Sequence, residues 1–95
     1  MAATRLQVDR LDGDRFRVTV SDAGGSTVHT VTVDPVYYQQ LTGGAVAPEE
    51  LVRRSFEFLL EREPKESILR SFALSVISRY FADYETDIAR RVRAG

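Results

Sequence analysis

The stretch Arg15-Phe16-Arg17-Val18-Thr19-Val20-Ser21-Asp22-Ala23-Gly24-Gly25-Ser26-Thr27-Val28-His29-Thr30-Val31-Thr32-Val33-Asp34-Pro35 decides the fold. Phe16, Val18, Val20, Val31 and Val33 alternate with polar neighbours on either side of a Gly-Gly pair, the period of two that marks half-buried strands. A two-residue turn at Gly24-Gly25, where both glycines accept positive φ, pairs Val20 with His29, Val18 with Val31 and Phe16 with Val33. Upstream, a three-residue connection at Asp12-Gly13-Asp14 pairs Val8 with Val18 and Leu6 with Val20, and sets Asp9 opposite Arg17. Both turns place the apolar side chains on one face. The first 33 residues therefore read as a three-stranded antiparallel meander, order 1-2-3, with residues 15–21 in the centre. Its outer face carries Arg5, Gln7, Asp9, Arg17, Thr19, Thr30 and Thr32.

From residue 34 the apolar period becomes helical. Asp34-Pro35 has the form of an N-cap followed by Pro at the first helical position, and the helix through Tyr37, Tyr38 and Leu41 is expected to stop at Gly43-Gly44. Pro48-Glu49-Glu50 opens a second helix with its acids at the positive end of the dipole. On that helix Leu51, Val52, Phe56, Phe58, Leu59 and Leu60 span about 200° of the wheel, wider than one contact surface requires. It is expected to touch both the sheet and another helix, with Glu50–Arg54 and Arg53–Glu57 paired at i,i+4 on the solvent side. Pro64 interrupts the pattern, and Ile68, Leu69 and Phe72 read as a short helical turn out of phase with the segment after it. From Leu74 a stripe of Ile77, Phe81, Tyr84, Ile88 and Val92 predicts one last helix, capped by Ser75 and closed by the basic turn Arg90, Arg91 and Arg93.

Composition bounds the rest. Ninety-five residues, 43% hydrophobic and 28% charged with a formal net charge of -1, describe one domain over 1–95. A chain of this size buries about 60–70% of its unfolded surface, enough to fold without a staple. The absence of cysteine excludes thiolate zinc sites, Fe–S clusters, disulfides and a Cys nucleophile. With no apolar run near the ~20 residues of a membrane span and no signal-like N-terminus, a cytoplasmic protein is expected, away from membranes. Residues 1–47 hold four basic and five acidic side chains and residues 48–95 nine of each, so neither half is a polyanion-binding arm.

No motif for catalysis emerges. The single histidine, His29, sits among Thr and Val and faces inward as a packed strand residue, and no strained G-x-S-x-G turn supports a Ser–His–Asp relay. Glu57, Glu61, Glu63 and Glu66 could be imagined around a divalent cation, but Arg53, Arg54, Arg62 and Lys65 interleave with them as on a solvated face. Gly43-Gly44 follows a helix rather than a strand and lacks the Lys-Ser/Thr of a phosphate loop. Tyr37-Tyr38 and Tyr80-Phe81 recur at helical spacing as core residues rather than base-stacking platforms. No catalytic residue, cofactor or metal ligand is therefore assigned. One segment has the outline of a recognition element: residues 67–85 read as a helix-turn-helix, with Ser75, Ser78 and Arg79 opening the second helix and Arg90, further along the chain, as a further nucleic-acid-binding residue. The net charge and the acids Asp83 and Glu85 weigh against nucleic acid as the partner.

Leu41-Thr42-Gly43-Gly44, Pro48-Glu49-Glu50-Leu51-Val52, Ser55-Phe56-Glu57-Phe58-Leu59-Leu60-Glu61-Arg62-Glu63-Pro64-Lys65-Glu66-Ser67-Ile68-Leu69, Phe72, Val76-Ile77, Tyr80-Phe81 and Tyr84-Glu85 together resemble a family of short uncharacterised bacterial proteins, over roughly residues 33–91. The resemblance implies a bacterial cytoplasmic origin and carries no activity. The expected fold is α+β, a three-stranded antiparallel meander followed by three to four helices packed on one face (residues 34–93). The expected function is a small non-enzymatic protein-interaction or regulatory module whose partner is another protein or a second copy, with the uncharged residues 27–33 as the sheet edge that receives it. The alternative is a nucleic-acid-binding regulator using residues 67–85.

Overall fold

The computed structural model describes residues 3–94, and the alternation of the first third becomes three antiparallel strands: β1 (Arg5–Asp12), β2 (Arg15–Asp22) and β3 (Gly25–Thr32). The β1–β2 register is the expected one, with Leu6 opposite Val20, Val8 opposite Val18 and Asp9 opposite Arg17, and it slips between Arg10 and Asp12. The β2–β3 register differs from expectation by two residues: Val18 faces His29, Phe16 faces Val31 and Val20 faces Thr27. The turn is Ala23-Gly24 rather than Gly24-Gly25, because the Asp22 carboxylate accepts the Gly24 N–H at 2.8 Å and closes the loop one residue earlier. Only Gly25 there takes positive φ, at 119°. A two-residue shift preserves the face of every side chain, so Phe16, Val18, Val20, His29, Val31 and Val33 are still buried together.

Helix α1 (Pro35–Thr42) begins as read, with the Asp34 carboxylate accepting the Val36 N–H at 2.8 Å, and ends at Gly43 with φ 60°. Helix α2 (Pro48–Leu60) uses its wide apolar arc in two directions. Phe56 packs toward the sheet, 5.4 Å from the His29 ring and 6.0 Å from Phe72, while Phe58 meets Phe81 and Tyr84 edge-on at 5.9 and 5.3 Å. The Glu50–Arg54 pair forms at 2.7 Å. Arg53 forms no pair with Glu57; it lies 3.9 Å from Glu50 and donates to the Leu6 carbonyl at 3.2 Å.

Beyond Pro64 the chain departs from expectation. Residues Lys65–Ser67 form one 3-10 turn, and Ser71–Ala73 form a fourth strand, β4, instead of a helix. β4 pairs parallel to β3, Thr30 with Ser71 and Thr32 with Ala73, giving a mixed sheet of order β1-β2-β3-β4. A parallel neighbour needs a crossover of a dozen residues or more, and α1 with α2 supplies it. Residues 27–33 are therefore not an open edge, as the sequence suggests, but an inner strand over Thr30–Thr32. The predicted last helix is also divided: a 3-10 turn at Leu74–Val76 precedes α3 (Ile77–Tyr80), Phe81 takes extended angles (φ -131°, ψ 102°), and α4 runs from Tyr84 to Ala94. Ser75 lies inside the 3-10 turn and caps nothing. Arg62 holds the break, its guanidinium 3.5 Å above the Phe58 ring and 2.9 Å from Asp83.

A single core joins the inward residues of the strands to Leu51, Val52, Phe56 and Leu59 of α2 and to Ile77, Tyr84, Ile88 and Val92. Among the described residues no helix is long and apolar enough to cross a membrane.

Candidate docking groove

The segment in which helix gives way to strand builds an apolar hollow. Two anchors hold it. His29 is only 1% exposed, and its Nδ1–H donates to the Leu69 carbonyl at 2.8 Å. Because a carbonyl can only accept, Nδ1 carries a proton, and Nε2 shares a hydrogen bond with the Thr27 hydroxyl at 2.8 Å. The Thr30 N–H then reaches the Arg70 carbonyl at 2.8 Å and starts the β3–β4 ladder.

The second anchor is Lys65, the only lysine in the chain, with 4% of its side chain exposed. Its ammonium donates to Asp22 at 2.8 Å and to Glu66 at 2.7 Å, tying the 3-10 turn to the β2–β3 hairpin. The hydrogen bond from Lys65, helped by the Gly24 N–H, holds the Asp22 carboxyl below its ordinary range. The Glu66 carboxyl is lowered by the same ammonium, and Lys65 is raised in return by Asp22 and Glu66.

Between these anchors and α3 lies an open groove of about 290 Å³. Its floor is Leu59, Ile68 and Phe72; Leu69, Tyr80 and Phe81 stand along its sides. Leu69 is 48% exposed and Tyr80 68%, so two large apolar side chains flank an apolar hollow. The polar lining is Glu63 and Ser67. Glu63, half-buried just past the end of α2, has no ion-pair partner among the described residues. The volume is at the lower limit of small-molecule pockets, about 300–1,000 Å³, and suits one or two inserted side chains.

His29 has both ring nitrogens engaged and does not reach the surface. Tyr84, also buried, donates to Ser55 at 2.7 Å while Ser55 donates to the Leu51 carbonyl at 2.8 Å, and burial pushes its phenol well up. No group of three metal-ligating side chains assembles among the described residues, and Glu57, Glu61, Glu63 and Glu66 do not converge: Glu61 turns to Arg91 at 2.7 Å and Glu66 to Lys65.

The residues that the sequence offers for nucleic acid are scattered by the same rearrangement. Residues 67–85 contain β4, a 3-10 turn and the four-residue α3, so no helix-turn-helix forms. Ser78 donates to the Ser75 carbonyl at 2.8 Å, Arg79 is exposed on α3, and Arg90, on α4, is engaged by Asp87. The reason is tertiary: the open side of β3 and the buried His29 draw residues 69–72 into extended pairing that a two-helix motif does not allow. Phe72 and Lys65 are parts of the site that sequence reasoning misses. A signal exists in the alternation of Ile68, Phe72 and Leu74, broken by Arg70, and in the uniqueness of Lys65. No family model, curated protein or solved structure matches the chain.

Proposed function

We propose that the chain is a non-enzymatic protein-interaction module and that the groove beside β4 is its contact surface. The observation that carries this reading is the flanking of one apolar hollow by two exposed apolar side chains, Leu69 and Tyr80. Exposed apolar clusters of this kind mark contact sites, and aromatic side chains such as Tyr80 are enriched at their energetic centres. The sealed state of His29 supports a non-enzymatic role. Helices gathered on one face of the sheet, a cytoplasmic setting, and kinship with the short bacterial proteins that residues 33–91 resemble belong to the same proposal.

The test is a photo-crosslinking side chain placed at Tyr80 and, as a control, at Val28 on the far face of the sheet, which is also exposed. Irradiation in the native cell is expected to give a discrete protein adduct from position 80 and none from position 28. Equal, diffuse labelling at both positions would remove the groove from consideration.

A further inference from the structure

We infer that the occupant of the groove is a second copy of this chain, joined through antiparallel pairing of the two β4 strands. This rests on the docking reading above and goes further by naming the partner.

β4 is the last strand of the sheet, and the bond from Thr30 N–H to the Arg70 carbonyl sets which backbone groups face β3. By the alternation of a parallel ladder, Phe72 turns its N–H and C=O toward β3, and Ser71 and Ala73 turn theirs outward. Both are exposed; the Ala73 carbonyl is the first acceptor of the 3-10 turn at Leu74–Val76, and no loop or turn bonds to the Ser71 backbone groups or the Ala73 N–H among the described residues. A two-fold axis at Phe72 sets Ser71 of one copy opposite Ala73 of the other. Each such pair exchanges two hydrogen bonds, so the free Ser71 N–H, Ser71 C=O and Ala73 N–H of each copy are satisfied at once, and the Ala73 carbonyl accepts a second bond on its remaining lone pair. Phe72 then meets its own counterpart at the closely spaced, non-hydrogen-bonded position on the groove side.

An isologous interface must be self-complementary, and this patch is. It has a hollow and two protruding apolar side chains, Leu69 and Tyr80. It also has both signs of charge. Glu63 lines the hollow without an ion-pair partner, and Arg70, exposed and likewise unpaired among the described residues, shares the strand face of Phe72. Arg70 of each copy is thus directed toward Glu63 of the other. A foreign peptide has no reason to supply both the knob and the hole, whereas a second copy supplies them by symmetry.

The experiment is sedimentation equilibrium of the full chain from about 10 µM to about 1 mM, with five variants. Ala73 has φ -78°, which proline adopts without strain, and its N–H faces the free edge, so Ala73→Pro removes an intersubunit donor while leaving the β3 pairing intact. The wild type is expected to dimerise, and Ala73→Pro to be monomeric with an unchanged circular dichroism spectrum. Glu63→Arg and Arg70→Glu are each expected to raise the dimer dissociation constant about tenfold, and the double variant to restore it to within about threefold. That rescue keeps the test decisive if Ala73→Pro fails to fold. A wild type that stays monomeric at about 1 mM overturns the inference, as does a dimer abolished by Val28→Asp but not by the charge reversals. A monomer whose Tyr80 position still crosslinks one foreign protein overturns this inference alone and leaves the docking reading standing.

Discussion

The two edges of the sheet are guarded differently. β1 is eight residues long, and beside it lies a hollow of about 280 Å³ between Leu6 and α2, nearly the size of the groove at β4. That hollow is lined by Arg53, Glu57 and Glu61, Arg53 covers the Leu6 carbonyl, the register slips after Arg10, and Arg5, Asp9 and Arg10 charge the strand. These are the devices by which natural sheets discourage strand addition. β4 is three residues long, uncharged, and opens beside an apolar hollow. Length alone would point to β1 as the interacting edge; the chemistry of the flanking hollow points to β4.

The comparison can be broken at several strengths. Phe56 lies beneath both His29 and Phe72, so Phe56→Ala should erase the difference between the edges by destabilising the whole domain, by about 3–5 kcal/mol in urea unfolding. His29→Phe should act more locally. It strands the Leu69 carbonyl and the Thr27 hydroxyl and is expected to cost about 1–3 kcal/mol, with faster amide exchange in β4 than between Val8 and Val18. Uniform acceleration across the sheet would show that β4 is not a separable unit.

A smaller effect is expected from Lys65→Met, and its signature is pH. Asp22 and Glu66 have lowered pKa values in the folded chain, so their stabilisation is present above the ordinary carboxylate range and is lost as the pH falls through the depressed values, below about pH 4. The melting temperatures of Lys65→Met and wild type should therefore differ at pH 7 and converge on acidification; a difference that persists at pH 2 would assign the effect to packing. Smallest of all, Arg53→Ala should cost about 0.5–1 kcal/mol while uncovering the Leu6 carbonyl. Its sharper readout is self-association through β1 at high concentration, which light scattering would detect.

Much of the molecule is legible in its sequence because the signals are local. Asp34-Pro35 and Gly43 mark the ends of α1, the Gly-rich hairpin sets strand faces, and the over-wide arc of α2 announces two packing partners. The two-residue difference at Ala23-Gly24 arises from one side chain, Asp22, bonding into its own turn. It is harmless to the faces of the strands because it equals their period.

The candidate site is the least legible part. Ile68, Leu69, Phe72 and Ile77 fit a helix as well as a strand, and short apolar runs do not resolve that ambiguity by period. The sequence by itself determined the meander, α1, α2 and the burial of His29, because turns, caps and periodicity act within a few residues. Only the tertiary structure decided β4, the division of the last helix and the groove. Their controlling partners are distant in sequence, His29 from Leu69 by 40 residues and Asp22 from Lys65 by 43. A backbone that could bond to itself as a helix instead completes the open side of β3, where a buried imidazole and a sheathed ammonium are already waiting to be paired.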